Sequence, residues 1–291
     1  MATSRVVKIC PEDVVNVAAV PHRSPFRYPG GKTWLVPKVR QWLRSLNPRP
    51  TELAEPFAGG AIVGLSALFE NLIRKLVLIE KDDDVAAVWN VIVQGDGLRL
   101  ANEILAFDLS VSSAKELLST KPSNEFERAF ATIVRNRVQH GGILAPGASM
   151  LNKGENGRGI RSRWYPSTLR KRIQAIVHTR DDISFIHGDG IDFIRYNAYR
   201  SETAFFIDPP YTVAGRRLYT HSELNHRKLF EVAATIRGDF LMTYDNSEEI
   251  RMLAKEFGLA TATIPMKNTH HEIMNELLVG KDLSWLRFST V

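Results

Sequence analysis

The chain is short of sulfur and of long apolar runs. It has a single cysteine, Cys10, among 291 residues. That excludes an intrachain disulfide and suits a reducing cytosol. No apolar stretch approaches the roughly 20 residues that span a bilayer, and the amino-terminal residues hold no signal-peptide core. A cytoplasmic protein with no membrane partner is expected. No Cys/His cluster has metal-ligand spacing; His270-His271 adjoin in what reads as a loop, so no metal is expected. No serine or cysteine sits in a nucleophile-elbow context. The three-glycine fingerprint of nicotinamide dinucleotide folds is missing as well, which argues against an oxidoreductase.

What is present in excess is positive charge. Formal net charge is +6 and the pI about 9.4, a tilt toward a polyanionic partner. The excess is concentrated. Lys153, Arg158, Arg161, Arg163, Arg170, Lys171 and Arg172 lie in one stretch, opposed by Glu155 alone, with Gly154, Gly157, Gly159, Trp164 and Tyr165 interleaved. Mobile backbone, cations and aromatic rings together suit phosphates and bases; a solvated basic loop is the plainer alternative.

Along the chain, residues 1–25 show little pattern and read as an amino-terminal extension. Helical spacing runs from Thr33 to Leu46, ended by Pro48 and Pro50. A strand at Glu52–Ala54 leads through Glu55-Pro56-Phe57-Ala58-Gly59-Gly60 into an apolar helix from Ala61. A second strand, Leu76–Ile79, ends in Glu80, and a further helix runs through Trp89 to Val93. Strand, glycine turn, helix, strand and acid in that order make a βαβ nucleotide-binding unit. The segment 98–177 reads as helices around the basic loop. Strands then resume at Ile183–His187, Ala204–Ile207 and Phe240–Thr243, with a closing hairpin from Ala260–Ile264 and Glu276–Val279. The expected fold class is α/β, a Rossmann-like sheet formed by 26–97 and 178–291, with a helical insertion at 98–177.

Residues 204–211, Ala-Phe-Phe-Ile-Asp-Pro-Pro-Tyr, carry the densest functional signal. An apolar run suited to a buried strand ends in Asp208, at the sheet edge where open α/β folds bind ligands. Pro209 and Pro210 have fixed φ and no N–H, leaving only carbonyls to hydrogen-bond. Acceptors beside the Tyr211 ring suit an amino group on a planar ring; a strand-ending turn is the alternative. Glu80 is placed to accept both hydroxyl hydrogens of a ribose. Asp189, in His187-Gly188-Asp189-Gly190, is a candidate acceptor for an adenine amino group or a plain turn aspartate. Glu55, Glu80, Asp189 and Asp208 thus share one expected edge. Gly59 and Gly60 let a ligand approach the backbone before the amino end of a helix.

Four blocks occur in a fixed order: Phe26-Arg27-Tyr28-Pro29-Gly30-Gly31-Lys32, Glu55-Pro56-Phe57-Ala58-Gly59-Gly60, Ile79-Glu80-Lys81-Asp82 and Asp208-Pro209-Pro210-Tyr211. With Asn136-Arg137, Tyr165-Pro166, Tyr244-Asp245-Asn246-Ser247 and Asn275-Glu276-Leu277-Leu278, they resemble the signature blocks of Dam-type (D12 class, alpha-group) DNA adenine-N6 methyltransferases. The resemblance runs from about Phe26 to Val279. It implies S-adenosylmethionine (SAM) as cofactor, a methyltransferase sheet and a DNA target-recognition insertion. Tyr28, Gly31 and Lys32 would meet the amino-acid end of SAM, and Phe57 with Gly59-Gly60 would lie along it. Glu80 stands where the family has aspartate, one methylene longer. Asp208, Pro209, Pro210 and Tyr211 form the implied catalytic block, with double-stranded DNA as partner and base flipping as the route. The implied DNA contacts are Asn136, Arg137, Lys153, Arg158, Arg161, Arg163 and Tyr165. One block departs: Val138-Gln139-His140-Gly141-Gly142-Ile143-Leu144-Ala145-Pro146 lacks the Asn-Gly-Leu step and downstream arginine of the GATC readers. GATC is therefore not carried over, and base readout passes to Arg158, Arg161 or Arg163. A role in restriction-modification, with or without a cognate endonuclease, stays open. So do adenine methylation in RNA and a catalytically idle DNA-binding homologue.

Overall fold

The computed structural model describes residues 19–27, 31–144, 148–151, 157–210, 224–267 and 273–286. Seven strands form one sheet: β1 (Glu52–Glu55), β2 (Lys75–Glu80), β3 (Ile183–His187), β4 (Thr203–Ile207), β5 (Asp239–Asp245), β6 (Ala260–Lys267) and β7 (Ile273–Gly280), in the order β3-β2-β1-β4-β5-β7-β6. The first five are parallel, and β7 runs antiparallel between β5 and β6. The α/β sheet expected from the sequence is present, and the closing hairpin is longer than its apolar cores suggested. Its second strand, not its first, joins β5.

Burial follows position in the sheet. β4, Thr-Ala-Phe-Phe-Ile, is buried at every residue, as a central parallel strand covered on both faces must be. β3 lies at the edge and shows exposed residues at Ser184, Ile186 and His187. Two apolar layers result. One face packs Leu53, Leu76, Leu78 and Phe206 under α1 (Val36–Ser45), α2 (Ile62–Phe69) and α3 (Asp83–Val93). The other packs Ala54, Ile79, Phe205 and Met242 under α8 (Gly190–Asn197), α9 (His226–Ala233) and α10 (Glu248–Glu256).

The segment 98–177 contributes α4 (Gly97–Ala106), α5 (Val111–Ser119), α6 (Glu125–Val138) and α7 (Pro166–His178). Leu100, Ile104, Ile133, Ile173 and Ile176 from these helices belong to the same apolar cluster as Trp89 and Val88 of α3. Side-chain caps start most helices: Asp82, Asp96, Ser110, Asn124, Asp189, Asn225 and Ser247 each accept from a first-turn N–H. α1, α2 and α7 have no such cap. The N-cap of α2, Ala61, is left-handed (φ 49°), and of the first-turn N–H groups of that helix, the one of Gly64 is taken by a side chain, Glu55.

Helical spacing from Thr33 resolves into a 3-10 turn, Lys32–Leu35, running into α1, where Pro37 occupies the first turn and forfeits no helix bond. The described end of the amino-terminal extension is packed. Val20 is buried, Ser24 is 3% exposed, and Phe26 lies against Trp89 at 6.0 Å. No helix among the described residues is long and apolar enough to cross a membrane.

Candidate active site

The strand order reverses between β1 and β4, one running to β2 and β3, the other to β5. In open α/β sheets the carboxyl ends of such a strand pair frame the ligand crevice. Here those ends carry Glu55 and Asp208.

The register pairing Ile207 with Met242 sets Asp208 beside Thr243. Thr243 is fully buried and donates its hydroxyl to Asp208 Oδ1 at 2.6 Å. Lys32 Nζ lies 3.0 Å from the same oxygen and 3.8 Å from Glu276 Oε2 on β7. The lysine is 3% exposed, because the 3-10 turn that carries it is buried at all four residues. Both contacts fall on Oδ1, so Oδ2 retains its acceptor capacity, and the Asp208 side chain keeps 24% of its surface in solvent. Pro209, buried, and Pro210, half-buried, follow with carbonyls and no N–H.

Glu55 is 3% exposed, and its Oε1 accepts the backbone N–H of Gly64 in α2. Gly64 keeps this approach close: a Cβ there would meet Glu55 Oε1 and the Leu76 methyls, which would have to shift. Burial, reinforced by the charge of Asp208 and opposed by the Gly64 N–H, pushes the Glu55 carboxyl up to about 8. The folded state then holds a proton that the unfolded chain releases near pH 4.5. Stability falls as pH rises from there to about 8 and is flat beyond. Glu55→Gln keeps an acceptor for Gly64 and removes the titration. It should gain about 1.4 kcal/mol per pH unit over wild type across that window, a few kcal/mol at pH 8. Urea unfolding at pH 5 and 8 checks this; an unchanged pH profile would refute it.

Glu80 is occupied by its own turn. Oε2 accepts from Gly59 N (2.9 Å), and Oε1 accepts from Lys81 N (2.8 Å) and Asp82 N (2.9 Å). Burial pushes its carboxyl up against these bonds. A carboxylate has about four acceptor positions, so the turn leaves room for one of the two ribose hydroxyls expected there. Asp189 caps α8 through Ile191 N (2.9 Å) and Asp192 N (3.3 Å), and pairs with Lys81 at 2.9 Å. Desolvation raises its carboxyl, but the Lys81 and N–H bonds win and hold it low. Gly59 (φ 45°) and Gly60 are buried, and the Gly59 carbonyl accepts from Trp89 Nε1 at 2.9 Å. Phe57 is half-buried, and Gly31 is exposed just before Lys32.

The candidate DNA contacts separate. Asn136 is fully buried; its Oδ1 accepts from Arg27 N at 2.8 Å, while its Nδ2 donates to the carbonyls of Arg27 and Gly142. Arg137, 4% exposed, donates to the Pro25 carbonyl at 2.5 Å. Both tie the amino-terminal segment to α6. Arg158 is exposed, Arg163 is half-buried, and Tyr165 is 45% exposed. Arg161 is exposed but spent on Asp108 (2.7 Å) and the Leu109 carbonyl (2.6 Å). Tyr28, Lys153 and Tyr211 lie outside the described residues. No metal-holding group of three His, Cys, Asp or Glu occurs among the described residues.

Thr243 had no assigned role in the sequence, and Glu276 appeared only within a matched block. Glu276 leaves a trace there, as an acid beside Leu277-Leu278-Val279. Thr243 leaves none, because its role depends on the β4–β5 register.

No protein-family model matches the chain, and no curated protein matches it in sequence. Among solved structures, a Pyrococcus horikoshii protein described as an RNA methyltransferase superposes with a TM-score of 0.43 at 10% identity, over 91% of this chain and 92% of that one. An rRNA methyltransferase of Streptomyces viridochromogenes gives 0.38 at 14%, over 94% of each chain. A precorrin-6y C5,15-methyltransferase of Geobacter metallireducens gives 0.37 at 8%, over 84% and 85%. Likenesses this loose add nothing to what the strand order already establishes.

Proposed function

We propose that the chain is a site-specific DNA methyltransferase that moves a methyl group from SAM to N6 of adenine in double-stranded DNA by base flipping. The observation that carries this reading is Asp208 at the switch point. One carboxylate oxygen is held by Lys32 and Thr243, the other accepts from no described residue, and a carbonyl without a competing N–H comes next. The order of the four sequence blocks supports the same reading.

The residues fit the cofactor. The start of α2 offers the N–H groups of Ile62 and Val63 to a carboxylate, that of Gly64 being held by Glu55, Glu80 keeps one acceptor position for a ribose hydroxyl, and Gly59-Gly60 leaves the approach free of side chains. When bound, SAM supplies an electrophilic methyl on a positively charged sulfur. The chain's part is to prepare the nucleophile. Adenine N6 is conjugated with its ring and is a poor base. Asp208 Oδ2 and the Pro209 carbonyl would accept its two hydrogens, drawing the nitrogen toward tetrahedral geometry and exposing its lone pair. Acceptors held in place beforehand stabilise the positive charge that grows on N6, and Asp208 Oδ2 is placed to take the proton N6 sheds. Unstacking the base costs about a few kcal/mol; Tyr211 would offset about 1–3 kcal/mol by stacking.

Incubation with methyl-labelled SAM and duplex DNA should yield N6-methyladenine on nuclease digestion and mass spectrometry. Label appearing in RNA alone, or in neither, overturns the proposal. Long-read sequencing of host DNA expressing the chain would then give the target sequence.

A further inference from the structure

Around residues 22–27, three arginines converge with no counter-charge among the described residues. Arg137 of α6 donates through Nη2 to the Pro25 carbonyl, and Arg172 of α7 donates through Nη1 to the Ser24 carbonyl at 3.3 Å. Arg27 follows two residues later, its backbone N–H and carbonyl held by Asn136, while its guanidinium is near enough for its charge to act on Arg137 and to meet that of Arg163. None pairs with a carboxylate among the described residues, whereas Arg40, Arg128, Arg135 and Arg200 all do. Arg137 is 4% exposed with its Nε unbonded, and Arg27 Nη1 is likewise buried without a partner. Burial and the charges of Arg172 and Arg27 press the Arg137 guanidinium down to about 9, still cationic at neutral pH. Partial burial with the same arginines, Arg172 and Arg137, pushes the His22 imidazole below its usual range.

Clipping a segment to two carbonyls needs donors, which neutral side chains supply. It does not need like charges gathered about a buried guanidinium, with Arg27 and Arg172 half-buried beside it, an arrangement costly unless an anion completes it. Each guanidinium has five N–H donors, most of them unused here, in a fork that matches phosphate oxygens. We infer that Arg27, Arg137 and Arg172 form a seat for a phosphate group, filled by a backbone phosphate of the bound duplex. This source rests on the DNA reading above. Arg27 lies five residues before Lys32, so a phosphate seated here is joined by a short run of chain to the lysine that holds Asp208.

Two measurements on the full chain, with Arg172→Gln and Arg172→Lys, test the seat. The first is thermal melting in sodium phosphate against sodium chloride at equal ionic strength. The second is anisotropy of a fluorescein-labelled duplex over a range of salt. Without phosphate, Arg172→Gln should melt at or above wild type, because like-charge repulsion is relieved. Phosphate should raise melting of wild type and Arg172→Lys more than that of Arg172→Gln. For Arg172→Gln the slope of log affinity on log salt should fall by about 0.9, one phosphate contact, while Arg172→Lys keeps it. Equal slopes and equal phosphate protection in all three proteins would overturn the seat. Selective protection by free phosphate with an unaltered duplex slope would overturn the backbone source. Selective protection with no duplex binding even by wild type would likewise remove that source, and would count against the DNA reading instead of the seat.

Discussion

Asp208→Ala is expected to lower N6-methyl transfer by about 10³-fold while leaving the protein folded. Losing one preorganised electrostatic partner costs about 10²–10³-fold in comparable sites, and here the same change also removes the proton acceptor. Thr243→Val should show a smaller loss, about tenfold. The carboxylate would remain but lose the 2.6 Å hydroxyl bond that, with Lys32, engages Oδ1. Single-turnover transfer to a duplex, with circular dichroism as the folding control, separates these outcomes. Near-normal transfer by Asp208→Ala would remove the residue from the chemistry.

Lys32→Met should be the most destabilising single change in the site. Lys32 sits between Asp208 and Glu276, and Asp208 in turn acts on the buried Glu55. Removing one member of a buried pair typically costs about 3–5 kcal/mol. The lower end applies here, because Asp208 keeps 24% of its side chain in solvent and its charge is partly screened. The deficit arises from the charge of Asp208 losing its cation, so removing that charge by substitution should relieve it. In urea unfolding, Lys32→Met should cost less in an Asp208→Asn background than in wild type. An equal cost in both backgrounds would mean that Lys32 acts through packing of its stem alone.

Patterns confined to one segment were readable in advance. The strands ending in Glu55, Glu80 and Ile207, the glycine turn after β1 and the helices of the 98–177 segment follow from apolar periodicity and from proline and glycine placement. Each reports a local preference that the fold preserves. Boundaries slipped where a 3-10 turn precedes a helix, as at Lys32, since apolar spacing does not separate the two over one turn. Asn136 and Arg137 show the limit differently. The family resemblance set them among the DNA contacts; burial and bonds to the carbonyls of residues 25, 27 and 142 give them a structural task that neighbours in the sequence do not show.

The amino-acid order alone determined the α/β class, the acid-terminated strands and the Asp-Pro-Pro stop, since these depend on neighbours in the chain. Only the tertiary structure decided that Lys32 and Thr243 grip one oxygen of Asp208, that Glu276 shares the lysine, and that Arg137 and Arg172 meet the amino-terminal segment with no carboxylate partner among the described residues. Those arrangements join residues far apart in the chain through strand register and burial. A lysine reads the same in sequence whether solvent or two carboxylates await it.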